Sequence, residues 1–402
     1  MSVIDKFLHY VSFDTQSDEH STTTPSTLKQ LVLAQELVKE LKEIGVSNAA
    51  LDPNGIVYGE IEANAAGDAI GLIAHMDTAS EMPGKDVRPR IVEHYDGGNI
   101  QLNEQYAMDA DAFPELQAVI GDDIIVTDGN TLLGADDKAG IAIIMEAIEG
   151  IIKSNSPHGK IMIAFTPDEE VGRGTENFDL DRFKVDYAYT LDGSEIQNVD
   201  YQTFNAASAV INISGRAIHP GSAKGQMINA TAVAVDFASR LPQWERPEFT
   251  EGEEGFFHLL EMSGECDHAH LAYIIRDHNR QRFEEKKQLM KKIAETVNCL
   301  YNNCLTLEIR DQYYNLADAM NGDTRAVERA KDSLKACGIE PDSLPIRGGT
   351  DGAMLTWKGL ITPNLGTGGG NFHGRYEFVS INKMNKMVEV VTDMLKAKSA
   401  GK

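Results

Sequence analysis

The sequence predicts an α/β fold in which a mostly parallel sheet is flanked by helices, with a smaller α+β domain inserted into it. Three observations predict it. First, the apolar runs Ala69 to Ala74, Lys160 to Thr166 and Tyr187 to Leu191 each end in a polar cluster, with the helical Gly140 to Ile152 segment between them, which is a βαβ rhythm. Second, from about Ala207 to Asn315 the pattern changes to alternating strands, Ser208 to Ser214, His268 to Ile275 and Leu305 to Asp311, with long helices at Ala230 to Leu241 and Asp277 to Leu300. Third, Asp323 to Cys337 and Leu360 to Leu365 return to helix and strand, so the α+β segment interrupts one discontinuous domain. At 402 residues the chain also exceeds a usual single core. The expected division is 1–206 with 318–402 for the discontinuous α/β domain and 207–317 for the inserted α+β domain.

Along the chain, Leu28 to Ile44 places apolar residues at helical spacing and Gly45 stops the run. Ile56 to Ile61 alternates like a strand. Asp96-Gly97-Gly98-Asn99, between Ile91 to Glu93 and Ile100 to Leu102, predicts a hairpin excursion from the sheet. The Gly140 to Ile152 run carries Glu146 and Glu149 and is too short to span a bilayer, so it is expected as a buried helix.

Composition narrows the partners. Lys plus Arg number 37 against 62 Asp plus Glu, and a net charge of −25 repels nucleic acid and anionic membranes while suiting cations. Cys266, Cys299, Cys304 and Cys337 are scattered without paired C-x-x-C units, which argues against a disulfide framework or sulfur-ligated zinc. Asp5, Lys6 and His9 interrupt the apolar N-terminus, so no secretion signal is expected and the location is expected to be cytoplasmic.

The polar clusters at the strand ends carry the chemistry, because sites in such sheets lie beyond the carboxyl ends of strands. In Ala74-His75-Met76-Asp77, residues two apart on a strand share a face, so Asp77 can stand behind His75 and orient its ring. Asp136, in Gly134-Ala135-Asp136-Asp137-Lys138, can offer one oxygen to each of two cations, because a carboxylate spans the roughly 3.5–4 Å between co-catalytic metals. The alternative is an acidic helix start, and Lys138 would help to neutralise the patch. In Asp168-Glu169-Glu170, adjacent glutamates point apart, so Glu170 can bind metal while Glu169 takes a proton from water and hands it to a leaving amine. Asp192 precedes Gly193, and His373 lies in Phe372-His373-Gly374. Singly these are a capped strand end, a solvated acidic loop, an Asp-Gly turn and a loop His. Together His75, Asp136, Glu170, Asp192 and His373 form a donor set that favours zinc, manganese or cobalt over copper.

Longer strings carry a resemblance: Thr131 to Gly140, Phe165 to Gly172, Ile218-His219-Pro220-Gly221, Tyr273 to His278, Pro345 to Gly352 and Phe372-His373-Gly374. In this order they resemble the peptidase T family of the co-catalytic zinc aminopeptidase and carboxypeptidase superfamily, over nearly the whole chain. The resemblance implies a zinc-exopeptidase catalytic domain with a lid, and release of the N-terminal residue from short peptides, tripeptides first. It implies two divalent metal ions, zinc first with Co2+ or Mn2+ as alternatives. Asp136 would bridge them, His75 and Asp192 would complete one position, Glu170 and His373 the other, with Glu169 as general acid/base and Asp77 supporting His75. His219 would then donate to the tetrahedral oxyanion. Arg280 and Arg347 are candidates to pair with the peptide carboxylate, since a guanidinium meets it with two parallel bonds, and Arg276 is a further one. A homodimer is an open alternative. The rivals are a dipeptidase or N-acyl amino acid deacylase sharing every ligand, or a non-catalytic peptide-binding relative that would be expected to lack Glu169 or a ligand. The sequence departs from the family pattern at Gln197-Asn198 and in Asn103 to Gln117, away from the proposed ligands. Gly366 to Gly370 lacks the Gly-Lys-Ser/Thr of a phosphate loop and is expected to aim His373, and His268 and His270 are set aside as residues of a wet strand.

Overall fold

The parallel centre of the main sheet is made by Ile161–Thr166, Ile70–His75, Tyr187–Gly193 and Asn364–Gly366, side by side in that order. The first two are buried at every position, as expected of strands covered on both faces. Val57–Ile61 joins one side and Val199–Asp200 the other, both antiparallel, so the sheet is mixed at its margins. The computed structural model describes residues 1–397. The chain separates into two units: 1–201, 322–344 and the stretch from Thr350 onward form the first, and Gln202–Asn321 with Pro345–Gly349 form the second.

In the first unit the apolar segment forms the helix Ala135–Ser154, in which Ile141, Ile143, Ile144, Met145, Ile148 and Ile151 are fully buried. Burying each contributes about 1.5–3 kcal/mol, which explains why a helix apolar on all faces sits inside. It packs on Val3–Tyr10 and Ile381–Leu395 and on the Ile70–His75 and Tyr187–Gly193 strands. A second, antiparallel sheet orders Gly369–Gly370, Phe378–Ser380, Ile124–Val126 and Arg90–Val92.

The hairpin expected around Asp96 to Asn99 does not form. Ile91 and Val92 pair instead with Ile125 and Ile124, and Ile100–Gln101 pairs with Ala107–Met108. Tyr95 is the reason: it is buried, its backbone exchanges hydrogen bonds with Asp122 and Gly121, and its hydroxyl donates to Gly98 O. Those bonds turn the Asp-Gly-Gly-Asn stretch into a closed loop and send the two strands apart.

The second unit is a four-stranded antiparallel sheet, ordered Phe256–Gly264, His268–Asp277, Asn205–Ser214 and Leu305–Tyr313. Alternating buried positions on His268–Asp277 face the helices Ala230–Arg240 and Arg280–Leu300 around Phe237, Phe283, Met290 and Val297. The second helix starts at Arg280 and not at Asp277, because the strand runs on to Asp277 and Asn279 caps the helix by accepting the Arg282 N–H. The Phe256–Gly264 edge strand escaped the sequence pattern because it buries only its first two residues. The second unit begins and ends a few residues outside 207–317 and also takes in Pro345–Gly349. Ile346 donates to Gln202 O, and Arg347 donates to Gly252 O, Glu254 O and Thr250 Oγ1.

Candidate active site

Three strand ends and two loops of the first unit place the acidic residues and histidines together. His75 ends its strand, Asp192 lies one residue from the end of the neighbouring parallel strand, and Asp168-Glu169-Glu170 follows the third. Asp136 arrives from the helix side. Gly134 turns the chain at φ 82°, and Asp136 and Asp137 lie outside helical geometry at the start of the Ala135–Ser154 helix. Gly140 permits the close approach, since a Cβ there would lie 2.0 Å from Leu191 O and 2.4 Å from Asp137 Oδ1. His373 comes from the loop before Phe378–Ser380, in the left-handed region at φ 62°.

Asp136 is the centre of the arrangement. Its Oδ1 lies 2.8 Å from His75 Nε2, which is also 3.4 Å from Asp192 Oδ1. Its Oδ2 lies 3.1 Å from His373 Nε2, which is also 3.0 Å from Glu170 Oε2. The five side chains expected to act together therefore meet in space, in two groups that share one carboxylate. Asp137 also comes within ligand distance of His75 and Asp192. Its Oδ2 accepts the backbone N–H of His75 at 3.2 Å, and its Oδ1 is buried without a hydrogen-bond partner, while Asp136 and Asp192 are the carboxylates that face Nε2 at 2.8 and 3.4 Å.

Asp77 is fully buried and ties the groups together. Its Oδ1 accepts the Glu169 N–H at 3.0 Å and its Oδ2 the Glu170 N–H at 3.2 Å. His75 Nδ1 lies 3.1 Å from Asp77 O and 3.4 Å from Asp77 Oδ1, so a proton on Nδ1 has a partner and Nε2 is left as the ligand atom.

Burial and mutual charge act strongly on these groups. Burial opposes charge on His75, yet Asp192, Asp136 and Asp77 outweigh it and hold its pKa well above the usual range. Bonds to Asp136 and Glu170 push His373 up to about 11. Burial would raise Asp136, but His373 and His75 keep it below the ordinary carboxylate range. Burial, reinforced by Asp192, lifts Glu169 well above its usual value, and burial pushes Asp192 up to about 7. Carboxylates crowded this closely favour positive charge among them, and a divalent ion bound by these imidazoles would displace their protons.

The donors fit a pair of divalent cations. Zinc–nitrogen and zinc–oxygen bonds of 2.0–2.1 Å in a tetrahedron put ligand atoms roughly 3.3 Å apart. The separations here run from 2.8 to 3.4 Å. Glu170 Oε1 is buried without a hydrogen-bond partner, as expected for an atom kept for a metal.

Three supporting residues had no assigned role in the sequence. Glu377 accepts the backbone N–H groups of Leu133, Gly134 and Asp136. Asp168 accepts the N–H and hydroxyl of Ser26 and the amide of Gln30, which anchors the Glu169-Glu170 loop. Asn364 Oδ1 accepts the Asp192 N–H and the Thr190 hydroxyl. The available signal was Glu377 standing between Tyr376 and the apolar Phe378-Val379, where an acid has no solvent reason to be. Lys138 is buried, which lowers it to about 8, and it donates to Phe13 O.

The remaining predicted residues lie in the second unit. His219 is exposed and its Nδ1 accepts the Gly221 N–H at 3.1 Å, so Nε2 carries the proton and can donate. The Arg280 guanidinium sits 3.4 Å over the Tyr314 ring and pairs with Glu284 at 3.3 Å. Arg347 lies over Phe204 and Phe256, with Nη1 and Nη2 both engaged on the 250–254 segment. His268 and His270 are not gathered with other ligands: His268 faces Glu265, and His270 faces Asn212.

A family model described as peptidase family M20/M25/M40 matches residues 109–397. Over 401 residues the sequence is 49% identical to a peptidase T of Caldanaerobacter subterraneus subsp. tengcongensis, covering 98% of each chain. It is 47% identical to a peptidase T of Bacillus subtilis, with 98% of each covered. Among solved structures, an aminopeptidase PepT from Bacillus cereus superposes with a TM-score of 0.78 at 24% identity, over 98% of this chain and 97% of that one, a likeness of fold.

Proposed function

Because the chain belongs to peptidase family M20/M25/M40, and within it to the peptidase T group, we propose that it is a metallo-aminopeptidase that releases the N-terminal residue from tripeptides. One observation carries the reading of how it works: the two oxygens of Asp136 face two separate donor groups, His75 with Asp192 and Glu170 with His373. These residues would hold a pair of divalent cations, zinc first and Co2+ or Mn2+ as alternatives, whose chemistry when bound would be to polarise a carbonyl and acidify water. Asp136, His75 and Asp192 are assigned to hold one and Asp136, Glu170 and His373 the other. Asp77 holds His75 in the tautomer that leaves Nε2 free, and at the same time pins the backbone of Glu169.

Glu169 is assigned the proton transfer. Burial and Asp192 raise its carboxyl, so it readily holds a proton, and the cations would pull the pKa back toward the working range. It takes the proton of the attacking water and delivers it to the departing amine. His219, Arg280 and Arg347 are assigned to the peptide: His219 through its protonated Nε2, the arginines through the carboxylate, for which Arg347 would exchange its bonds to the 250–254 segment. Among the described residues no helix is long and apolar enough to cross a membrane. The four free cysteines fit a reducing cytoplasm.

Glu169→Gln tests the reading. It should keep two cations per chain by mass spectrometry while tripeptide hydrolysis falls by roughly 10²–10⁴-fold. Undiminished turnover would remove Glu169 from the chemistry. A panel of dipeptides, tripeptides and N-acetylated amino acids separates the proposed activity from a dipeptidase or a deacylase.

A further inference from the structure

Two loops supply Asp136 and His373 to the second cation position, and the buried carboxylate of Glu377 is the tie between them nearest to Asp136; farther along, Arg375 donates to Gly129 O and Thr127 to Arg375 O. The first runs from Thr127 to Asp136 and the second from Asn371 to Glu377, and the strands they adjoin are paired, with Phe378 opposite Val126. Glu377 is 1% exposed and reaches across from the second loop to the backbone of the first. Its Oε2 accepts the N–H groups of Leu133 at 2.6 Å and Gly134 at 2.8 Å, and its Oε1 accepts that of Asp136 at 3.0 Å. Asp136 Oδ2 in turn lies 3.1 Å from Nε2 of His373, four residues before Glu377.

We infer that Glu377 is a positioning residue that sets the distance between Asp136 and His373, and with it the affinity of the cation position those two share with Glu170. The inference rests on the two-cation reading above. Its physical basis is donor counting. Three backbone N–H groups converge on the side chain, and a carboxylate is the one side-chain group of this shape with acceptor capacity on both terminal atoms. A glutamine keeps the shape but turns one terminal atom into an NH2. Placed at Oε1, that NH2 confronts the Asp136 N–H; placed at Oε2, it confronts Leu133 and Gly134. Either way the backbone at Asp136 loses its bond to the segment that carries His373, while the ties of Arg375 to Gly129 and Thr127 at the far end of the loop remain. The position made by His75 and Asp192 loses less, because both residues stand on strand ends that Glu377 does not touch.

The test is a titration of the metal-free full chain with Co2+, following heat and visible absorption, with wild type, Glu377→Gln and Glu377→Asp. Wild type should take up two equivalents. E377Q should bind the first within a few-fold of wild type and the second about 10–100-fold more weakly, the range seen when a partner of a metal ligand is removed, with altered absorption on the second addition. E377D keeps the charge and draws it back by about one bond, roughly 1.5 Å. It should fold, as judged by circular dichroism, and show a milder loss at the same position. Two equivalents bound with wild-type affinity by a folded E377Q would overturn the inference. If E377Q does not fold, E377D decides: selective weakening of the second equivalent supports positioning, and wild-type binding refutes it. Failure of both variants to fold would also refute it, making Glu377 a structural staple only. A wild type that binds fewer than two equivalents would instead sink the two-cation reading, and the wild-type titration shows that separately.

Discussion

Removing the Asp77 side chain should damage the site in two ways that different measurements separate. The carboxylate is fully buried, accepts the Glu169 N–H at 3.0 Å and the Glu170 N–H at 3.2 Å, and lies 3.4 Å from His75 Nδ1. Asp77→Ala strands both N–H groups. A buried unsatisfied donor costs about 1–3 kcal/mol, but these two are part-buried and water can reach them, so the total should sit near the low end, about 2 kcal/mol. The second effect is on the metal. Loss of a partner that orients a ligating imidazole typically weakens binding 10–100-fold, and because Nδ1 keeps the main-chain O of residue 77 at 3.1 Å, the low end is expected, about 10-fold or about 1.4 kcal/mol. Urea unfolding of the metal-free chain reads the first effect, and zinc titration by calorimetry reads the second. Turnover at saturating zinc should still be reduced, since the backbone of Glu169 is no longer pinned. Asp77→Asn keeps one acceptor oxygen and should fall between wild type and D77A in both assays. Zinc affinity within two-fold of wild type, with turnover preserved in D77A, would refute the idea that Asp77 orients His75 and Glu169.

Two further predictions concern groups that are not assigned as ligands. Asp168→Ala should lower the urea midpoint by an amount equivalent to about 3–5 kcal/mol, because it strands the N–H and hydroxyl of Ser26 and the amide of Gln30. It also puts alanine at φ 60°, which costs about 1 kcal/mol more; an unchanged midpoint would show that the Ser26 anchor is dispensable. Burial pushes Asp200 up to about 6, above its ordinary value of 3.8, so the native state binds its proton more tightly than the unfolded chain. That stability is present below pH 3.8 and is lost as pH rises toward 6, leaving a burial penalty of about 1–3 kcal/mol at neutral pH. Asp200→Asn removes the penalty, so its stability relative to wild type should improve by that amount between pH 4 and pH 8; a difference independent of pH would contradict the assignment.

The reach of the sequence followed the range of the forces that shape each feature. Ile70–His75, Ile161–Thr166 and Tyr187–Gly193 were legible because burial on both faces demands continuous apolar runs, and parallel order then puts His75, Glu170 and Asp192 at one edge. The nearness of Asp77 to the His75 ring was legible because the two residues stand two apart where the strand ends. The misplaced hairpin shows the limit: Asp-Gly-Gly-Asn states a turn, but Tyr95 and its bonds to Gly121 and Asp122 decided which strands pair. Arg347 shows it again, since a free guanidinium and one held by Gly252, Glu254 and Thr250 look alike in sequence.

By itself the sequence determined which residue types stand at the strand ends, the sign of the charge there and the order of α/β and α+β segments, because local periodicity and composition encode these. Tertiary structure alone decided that one oxygen of Asp136 meets His75 while the other meets His373, 237 positions away. It also decided that Glu377 would bind the backbone before Asp136, that Asp168 would find Ser26, and that Gly140 would let a helix touch Leu191. Such contacts depend on distances of a few tenths of an ångström between segments remote in the chain, and those distances exist only once the core has packed.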